Sequence, residues 1–226
     1  MVALATRKEE NMANKNDIRI DVKKLHPLLR LYLERMIKYA NDAGIYIIVT
    51  EGLRTVADQD ALYAKGRTKP GPVVTNAKGS YYGSQHQWGI AFDICIANDG
   101  HMWDESYFRR VAEVTIGHCK HLGWGGYWTK EKDGLIDRPH FYLDNWGKNP
   151  LPLKKKYGVP DKFMKTFTGK VTGTKDGLTI WSKNKKKQIK KNVPNGEVFN
   201  ILSKGIRWAR IEYNGIHGYV LKKYLK

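Results

Sequence analysis

The sequence predicts an α+β protein: an N-terminal domain built on a small antiparallel sheet flanked by helices, followed by a small all-β barrel. Three observations carry this. Up to residue 144, stretches of helical apolar spacing mix with short apolar runs and form no regular βαβ repeat. A proline- and lysine-rich stretch without clear periodicity, residues 145–163, then breaks the pattern. After it, short strand-like segments recur between Gly, Asn and Pro, which argues for a small barrel. At 226 residues, 41% hydrophobic and 12% aromatic, the chain can bury one sizeable core and a smaller second one.

The elements follow in order. Residues 1–16 are expected to be a flexible leader, because the eleven residues before Met12, a possible alternative start, lack apolar periodicity. The first domain is expected over 17–147. In LHPLLRLYLERMIKYANDA (25–43), Leu28, Leu31, Tyr32, Met36, Ile37 and Tyr39 fall near helical spacing, and Gly44 stops the helix. IYIIVT (45–50) reads as a buried strand, VADQDALYAKG (56–66) as a short helix, and 68–85 as a long loop punctuated by Gly and Pro. IAFDICI (90–96) is a strand, ESYFRRVAEVTIGHCKHLG (105–123) a helix and RPHFYLD (138–144) a strand. Residues 148–166 are expected to be a linker. The barrel, 167–226, is expected from GKVTG, GLTIWS, EVFNILSK, WARIEYN and GIHGYVLKKYL.

Charge narrows the function. The net charge is +18, and Phe167–Lys226 holds 14 Lys and Arg against 3 Asp and Glu, so that segment carries +11 and the longer remainder +7. Such a basic surface attracts polyanions and weakens as salt screens it. Sign alone does not choose among nucleic acid, lipid headgroups and cell-wall polymers. No stretch reaches the roughly 20 apolar residues that span a bilayer, so membrane insertion is not expected, and the N-terminus lacks the apolar core of a secretory signal. Cys95 and Cys119 are too few for a disulfide framework and are expected as reduced core thiols.

One stretch carries chemistry. In SQHQWGIAFD (84–93), Gly89, Ala91 and Asp93 face one way along a strand and Ile90, Phe92 and Ile94 the other. The face of small residues therefore ends on a carboxylate, which in apolar surroundings needs pairing or a metal. His86 precedes it, and His140 begins another strand with Asp137 three residues upstream. A catalytic zinc takes three protein ligands and keeps one position open. The chain has seven histidines, at 26, 86, 101, 118, 121, 140 and 217. His118 and His121 share helical spacing but have no third ligand beside them. The HExxH signature is absent.

Ser84-x-His86-x-x-Gly89-x-Ala91-x-Asp93, followed by Asp137-x-x-His140, resembles the zinc metallopeptidases of bacterial cell-wall peptides, the D-Ala-D-Ala carboxypeptidases and L-alanyl-D-glutamate endopeptidases. TEGLRT (50–55), Gln59, LYAKGRT (62–68), VTNAKG (74–79) and WGGYW (124–128) resemble the endopeptidase branch, which includes phage endolysins. The resemblance runs from about Ile20 to Asp144. It implies one zinc ion held by His86, Asp93 and His140, with Asp137 as catalytic base. It also implies that Arg54 stabilises an oxyanion or binds a substrate carboxylate, the bland reading of Arg54 being an ion pair that fixes its loop. Ser84, Gln59, Tyr63 and Trp128 are candidate substrate contacts, with loop capping and helix packing as the alternatives for the first three.

The chain departs from the pattern in three places. Tyr127 replaces the Asp of Trp-Gly-Gly-Asp-Trp, TKEKDGLI (129–136) is longer than usual, and the base is Asp where many relatives have Glu, an option associated with some phage enzymes. The first two bear on substrate fit.

Residues 167–226 resemble the bacterial Src-homology-3-like domains attached to wall hydrolases, through GLTIWS (177–182) and WARIEYNGIHGYVLKKYL (208–225). Trp181, Trp208 and Tyr219 are candidate wall contacts or barrel core, and KNKKKQIKK (183–191) a candidate anion-binding segment or a solvated hairpin turn. The partners implied are peptidoglycan and teichoic acids, not nucleic acid, and the chain is expected to act as a monomer.

The expected activity is zinc-dependent cleavage between L-alanine and D-glutamate. The alternatives are D-Ala-D-Ala carboxypeptidase activity and a non-catalytic wall-binding or nucleic-acid-binding role. The missing signal suggests an endolysin made in the host cytoplasm and released through holin-type membrane holes.

Overall fold

The computed structural model describes residues 15–226. Met12 and all but the last two positions of the expected leader lie outside the described residues. Asn16, at its end, is tied into the fold, since its side-chain carbonyl accepts the Ile47 amide at 2.8 Å. The chain divides into two compact units: residues up to Leu25 with Leu29–Pro160, and His26–Leu28 with Asp161–Lys226.

The first unit holds β1 (Asp17–Ile18), all but the first two residues of α1 (Pro27–Asp42), β2 (Ile47–Glu51), α2 (Val56–Ala64), β3 (Ala91–Ile96), α3 (Glu105–Ile116), β4 (Leu122–Trp124), α4 (Lys130–Asp133), β5 (His140–Leu143) and α5 (Leu151–Tyr157). Its five strands run in the order β1-β2-β3-β5-β4. The pairs β2/β3, β3/β5 and β5/β4 are antiparallel. The edge strand β1 runs parallel to β2, so the sheet is mixed where an antiparallel one was expected.

Apolar spacing explains α1. Its buried stripe is Leu29, Leu33, Met36 and Ala40, widened by Leu28, Leu31 and Tyr32, and it stops before Gly44 at φ +73°. The sequence stripe was set too far round the helix, because Ile37 and Tyr39 are only half-buried. Burying Leu29 and Met36 completely contributes about 1.5–3 kcal/mol each. The sheet is covered on both faces. Ile47, Val49, Phe92 and Ile94 fill one side, and Ile48, Cys95 and Ala97 pack with Tyr46 and Met102 on the other. Cys95 and Cys119 are free, buried thiols.

Two expectations fail locally. The helix predicted to Gly123 ends at Ile116, because Leu122–Trp124 leaves to pair with β5. His118 and His121 therefore lie in a turn, not on one helix face, and each has its own neighbour: the His118 ring lies tilted against Tyr39 with centroids 4.7 Å apart, and His121 meets Asp144 at 3.0 Å. The linker predicted over 148–166 contains α5 and, in the second unit, α6 (Pro160–Lys165), which bury Leu153 and Phe163.

The second unit is an antiparallel sheet of β6 (Thr168–Lys170), β7 (Leu178–Trp181), β8 (Gln188–Val193), β9 (Val198–Lys204), β10 (Trp208–Tyr213) and β11 (Ile216–Leu221), in the order β6-β9-β10-β11-β7-β8. After β11 the chain returns to β6, where Lys170 and Lys226 exchange backbone hydrogen bonds of 2.7 and 3.0 Å. Strict alternation along WARIEY puts Ala209, Ile211 and Tyr213 in the core with Ile180, Phe199 and Val220. Part of the lysine-rich segment read as a turn belongs to β8, whose first five residues are exposed.

Candidate metal centre

Three adjacent elements bring the site together. Asp93 and His140 are direct partners across the antiparallel β3/β5 pair, and Asp93 lies opposite Glu51 at the end of β2. His86 arrives on a 3-10 turn, Gln85–Trp88, which closes on Gly89 at φ +64°. That left-handed geometry suits glycine and turns the chain from His86 into β3. Gly89, which the sequence sets on the strand face shared with Ala91 and Asp93, caps the turn instead. Gly125 serves the other side: a Cβ there would lie 2.4 Å from the Asp137 carbonyl, and its own carbonyl accepts the Asp137 amide at 3.1 Å.

His86 Nε2, Asp93 Oδ1 and His140 Nδ1 converge. The separations are 3.1 Å between the two nitrogens, 3.2 Å from His86 to Asp93 and 3.0 Å from His140 to Asp93. A tetrahedral zinc with ligands at 2.0–2.2 Å spaces them about 3.3–3.6 Å apart, so an ion fits after a shift of a few tenths of an ångström. The outward nitrogens are engaged as metal-ligating histidines require. His86 Nδ1 donates to the Gly52 carbonyl at 2.8 Å, and His140 Nε2 meets Gln85 Oε1 at 2.8 Å. His86, Asp93 and His140 form the one group of this kind found among the described residues.

The electrostatics follow from burial and contact. Burial raises the Asp93 carboxyl, but the His86 and His140 imidazoles outweigh it and hold Asp93 well below the carboxylate range. For His86, burial lowers the pKa, and the Asp93 charge and hydrogen bond reverse that to a net rise. Burial pushes Asp137 up, against the His140 charge, and the Asp93 charge adds to the rise. Among the described residues, no hydrogen-bond or ion-pair partner holds the Asp137 carboxylate.

These groups face a cleft of about 920 Å³, whose lining includes Arg54, Ser84, Trp128 and Asp137 together with Lys78, Lys132, Lys148 and Lys154. Trp128 stands 5.2 Å from the His140 ring and donates to the Tyr142 hydroxyl at 3.2 Å. The Ser84 amide donates to Gln87 Oε1 at 3.4 Å.

Arg54 occupies the arrangement first considered the bland one. Its Nε and Nη2 grip Glu51 at 2.5 and 2.6 Å, and Nη1 donates to Gln59 Oε1 at 2.6 Å. It still reaches the cleft wall. Gln59 does not: it is fully buried, donates to Thr75 Oγ1 and the Ala77 carbonyl, and orients Arg54. Tyr63 is also outside the lining, under the Arg67 guanidinium at 4.0 Å. Tyr127 packs edge-on against Trp124 and is not part of the lining either, whereas the longer loop that follows supplies Lys132 and Leu135. Sequence reasoning missed Glu51 and Gln85, although both lie inside quoted motifs, TEGLRT and SQHQWGIAFD.

In the second unit, Trp181, Trp208 and Tyr219 are half-buried and alternate with the core residues, so they belong to the outer face of the sheet. Trp181 and Tyr219 are register partners, and Lys185 Nζ lies 4.2 Å over the Tyr219 ring.

An α+β unit whose cleft ends on two histidines and a carboxylate, beside a free acid, has the make-up of a mononuclear metallohydrolase. The chain belongs to the VanY D-alanyl-D-alanine carboxypeptidase family, whose model matches residues 22–141. The bacterial SH3 domain model matches residues 182–226. The chain is 36% identical over 122 residues to the peptidoglycan L-alanyl-D-glutamate endopeptidase CwlK of Bacillus subtilis (strain 168), covering 48% of this chain and 70% of CwlK. Two solved structures are similar. The Serratia marcescens L-Ala D-Glu endopeptidase ChiX aligns with TM-score 0.39 at 25% identity, over 54% of this chain and 82% of its own. A variant of the vancomycin-resistance D,D-pentapeptidase VanY in complex with Zn(II) aligns with TM-score 0.39 at 20% identity, over 62% and 83%.

Proposed function

We propose that this chain is a zinc-dependent peptidoglycan hydrolase that cuts the stem peptide between L-alanine and D-glutamate. The observation that carries the reading is the convergence of His86 Nε2, Asp93 Oδ1 and His140 Nδ1 in the cleft that Asp137 also lines. The likeness to CwlK favours the endopeptidase bond over the terminal D-Ala-D-Ala bond.

His86, Asp93 and His140 would hold the ion. Zinc in such a site supplies Lewis acidity and brings the pKa of its water to about 7. Asp137 takes the proton of the attacking water at its carboxylate and delivers it to the departing amine. Its raised pKa keeps it basic enough for that step near neutrality. Arg54, steadied by Glu51 and Gln59, presents its remaining N–H groups to the cleft for a substrate carboxylate or the developing oxyanion. Trp128 offers an apolar wall, and the cleft lysines favour a stem peptide with free carboxylates.

The basic second unit would keep the enzyme on its insoluble substrate, raising effective concentration without new active-site contacts. Its outer aromatic face and its charge suit peptidoglycan and anionic teichoic acids. Asp137, where many relatives carry Glu, supports the finer reading of a phage-type endolysin, made in the host cytoplasm and admitted to the wall by a holin. Host lysis upon co-production with a membrane-permeabilising protein, and not without it, is the expected behaviour.

The catalytic reading is tested on purified walls. Turbidity should fall with the full chain, stop falling on chelation, resume with added zinc and stay constant with Asp137→Ala. Equal clearing by Asp137→Ala, or clearing indifferent to chelation, contradicts it.

A further inference from the structure

We infer that Gln85 is a positioning residue that sets the tautomer of His140 and thereby aims its Nδ1 lone pair at the metal position. Gln85 is 4% exposed and belongs to the turn that carries His86. Its side chain bridges two groups: Nε2 donates to the Gly147 carbonyl at 3.0 Å, and Oε1 meets His140 Nε2 at 2.8 Å.

The orientation is forced by elimination. A backbone carbonyl can only accept, so the amide nitrogen of Gln85 must face Gly147 and its oxygen must face His140. An amide oxygen can also only accept, so His140 Nε2 must carry the hydrogen. In the neutral ring Nδ1 is then the unprotonated nitrogen, and it is the one that points at His86 Nε2 and Asp93 Oδ1. His86 reaches the same state by a shorter route, with its Nδ1 donating directly to the Gly52 carbonyl. Two backbone carbonyls therefore set both histidines, one directly and one relayed through Gln85. The relay also joins the His86 turn to His140 on β5, so one side chain ties together the two segments that must stay in register for an ion to be held.

This inference rests on the zinc reading only for its affinity arm, so the test has two. Zinc affinity of the full chain is measured by competition with a chromophoric chelator for wild type, Gln85→Leu and Gln85→Glu. Removing the acceptor in Gln85→Leu should weaken zinc binding by roughly 10–100-fold. Gln85→Glu keeps an acceptor toward His140 and should restore most of that loss. The second arm reads the tautomer of His140 in metal-free protein at alkaline pH, from its ring-nitrogen NMR shifts. Wild type and Gln85→Glu should show hydrogen on Nε2, and Gln85→Leu a mixture. If wild type binds no zinc, the functional reading fails while the tautomer arm still judges Gln85. A wild-type His140 with hydrogen on Nδ1, or a Gln85→Leu protein with wild-type tautomer and affinity, overturns the inference.

Discussion

Asp93 and His140 stand directly opposite each other on adjacent antiparallel strands, and their side chains meet at 3.0 Å, Asp93 Oδ1 to His140 Nδ1. Strand pairing thus fixes two members of the cluster before any ion arrives. Asp93→Ala should therefore leave the sheet intact and weaken zinc binding by more than the roughly 10–100-fold that loss of an outer partner costs. Chelator competition, with circular dichroism as the folding control, measures it.

The same cluster makes the metal-free chain sensitive to pH. Asp93 is depressed from its ordinary 3.8, so its contribution is present above that value and lost as pH falls through its folded pKa. His86 is raised from its ordinary 6.5, so its contribution is present below that value and lost as pH rises through its folded pKa. Denaturant midpoints of the chelated protein should therefore be highest between these two ordinary values. Zinc needs deprotonated ligands, so its added stabilisation should grow with pH. Midpoints with and without zinc across this range check both trends.

Asp137→Asn should keep zinc affinity close to wild type and lower kcat by about 10²–10⁴-fold, since it removes only the proton acceptor. The acid limb of the wild-type kcat/KM profile should report the Asp137 carboxyl, with activity falling as pH drops through a value above the ordinary 3.8. Single-substrate kinetics on a stem-peptide analogue supply both readings.

Lys78 and Lys154 approach the same Tyr81 ring, at 5.8 and 5.2 Å, and neither has a carboxylate within ion-pair distance among the described residues. Peptides with free carboxylates should outperform their amidated counterparts in kcat/KM, and Lys154→Met should shrink that preference. Paired synthetic peptides with wild type and variant give the ratio.

Trp181→Ala and Tyr219→Ala alter the outer face and spare the core, so they should lower retention on walls while leaving cleavage of soluble peptide unchanged. Wall binding should also weaken as salt rises. Pull-down with purified walls at increasing ionic strength reads both effects.

The fold was legible wherever pattern and partner coincide. The β10 alternation and the α1 stripe were visible because each buries one face. The end of α3 was not, because Cys119 and Leu122 continue the helical spacing while Leu122 pairs with β5 instead. β8 was hidden because its exposed lysine-rich residues show no alternation. In the site, spacing around Asp93 and the upstream Asp137 named the groups that the fold gathers. Gln59 and Tyr63 stayed open between substrate contact and helix packing because a helix shows its polar residues equally to a cleft and to its own neighbours. Gln85 and Glu51 escaped notice because they touch other side chains of the site, a relation that only distance reveals.

The most direct measurement is mass spectrometry of muropeptides digested by the zinc-loaded full chain. The expected product has a new amino terminus on D-glutamate, L-alanine left on the glycan side, and no product when chelator is present. Loss of terminal D-alanine instead, or digestion unaffected by chelator, would contradict the assignment of His86, Asp93, His140 and Asp137 to a zinc endopeptidase of the L-alanyl-D-glutamate bond.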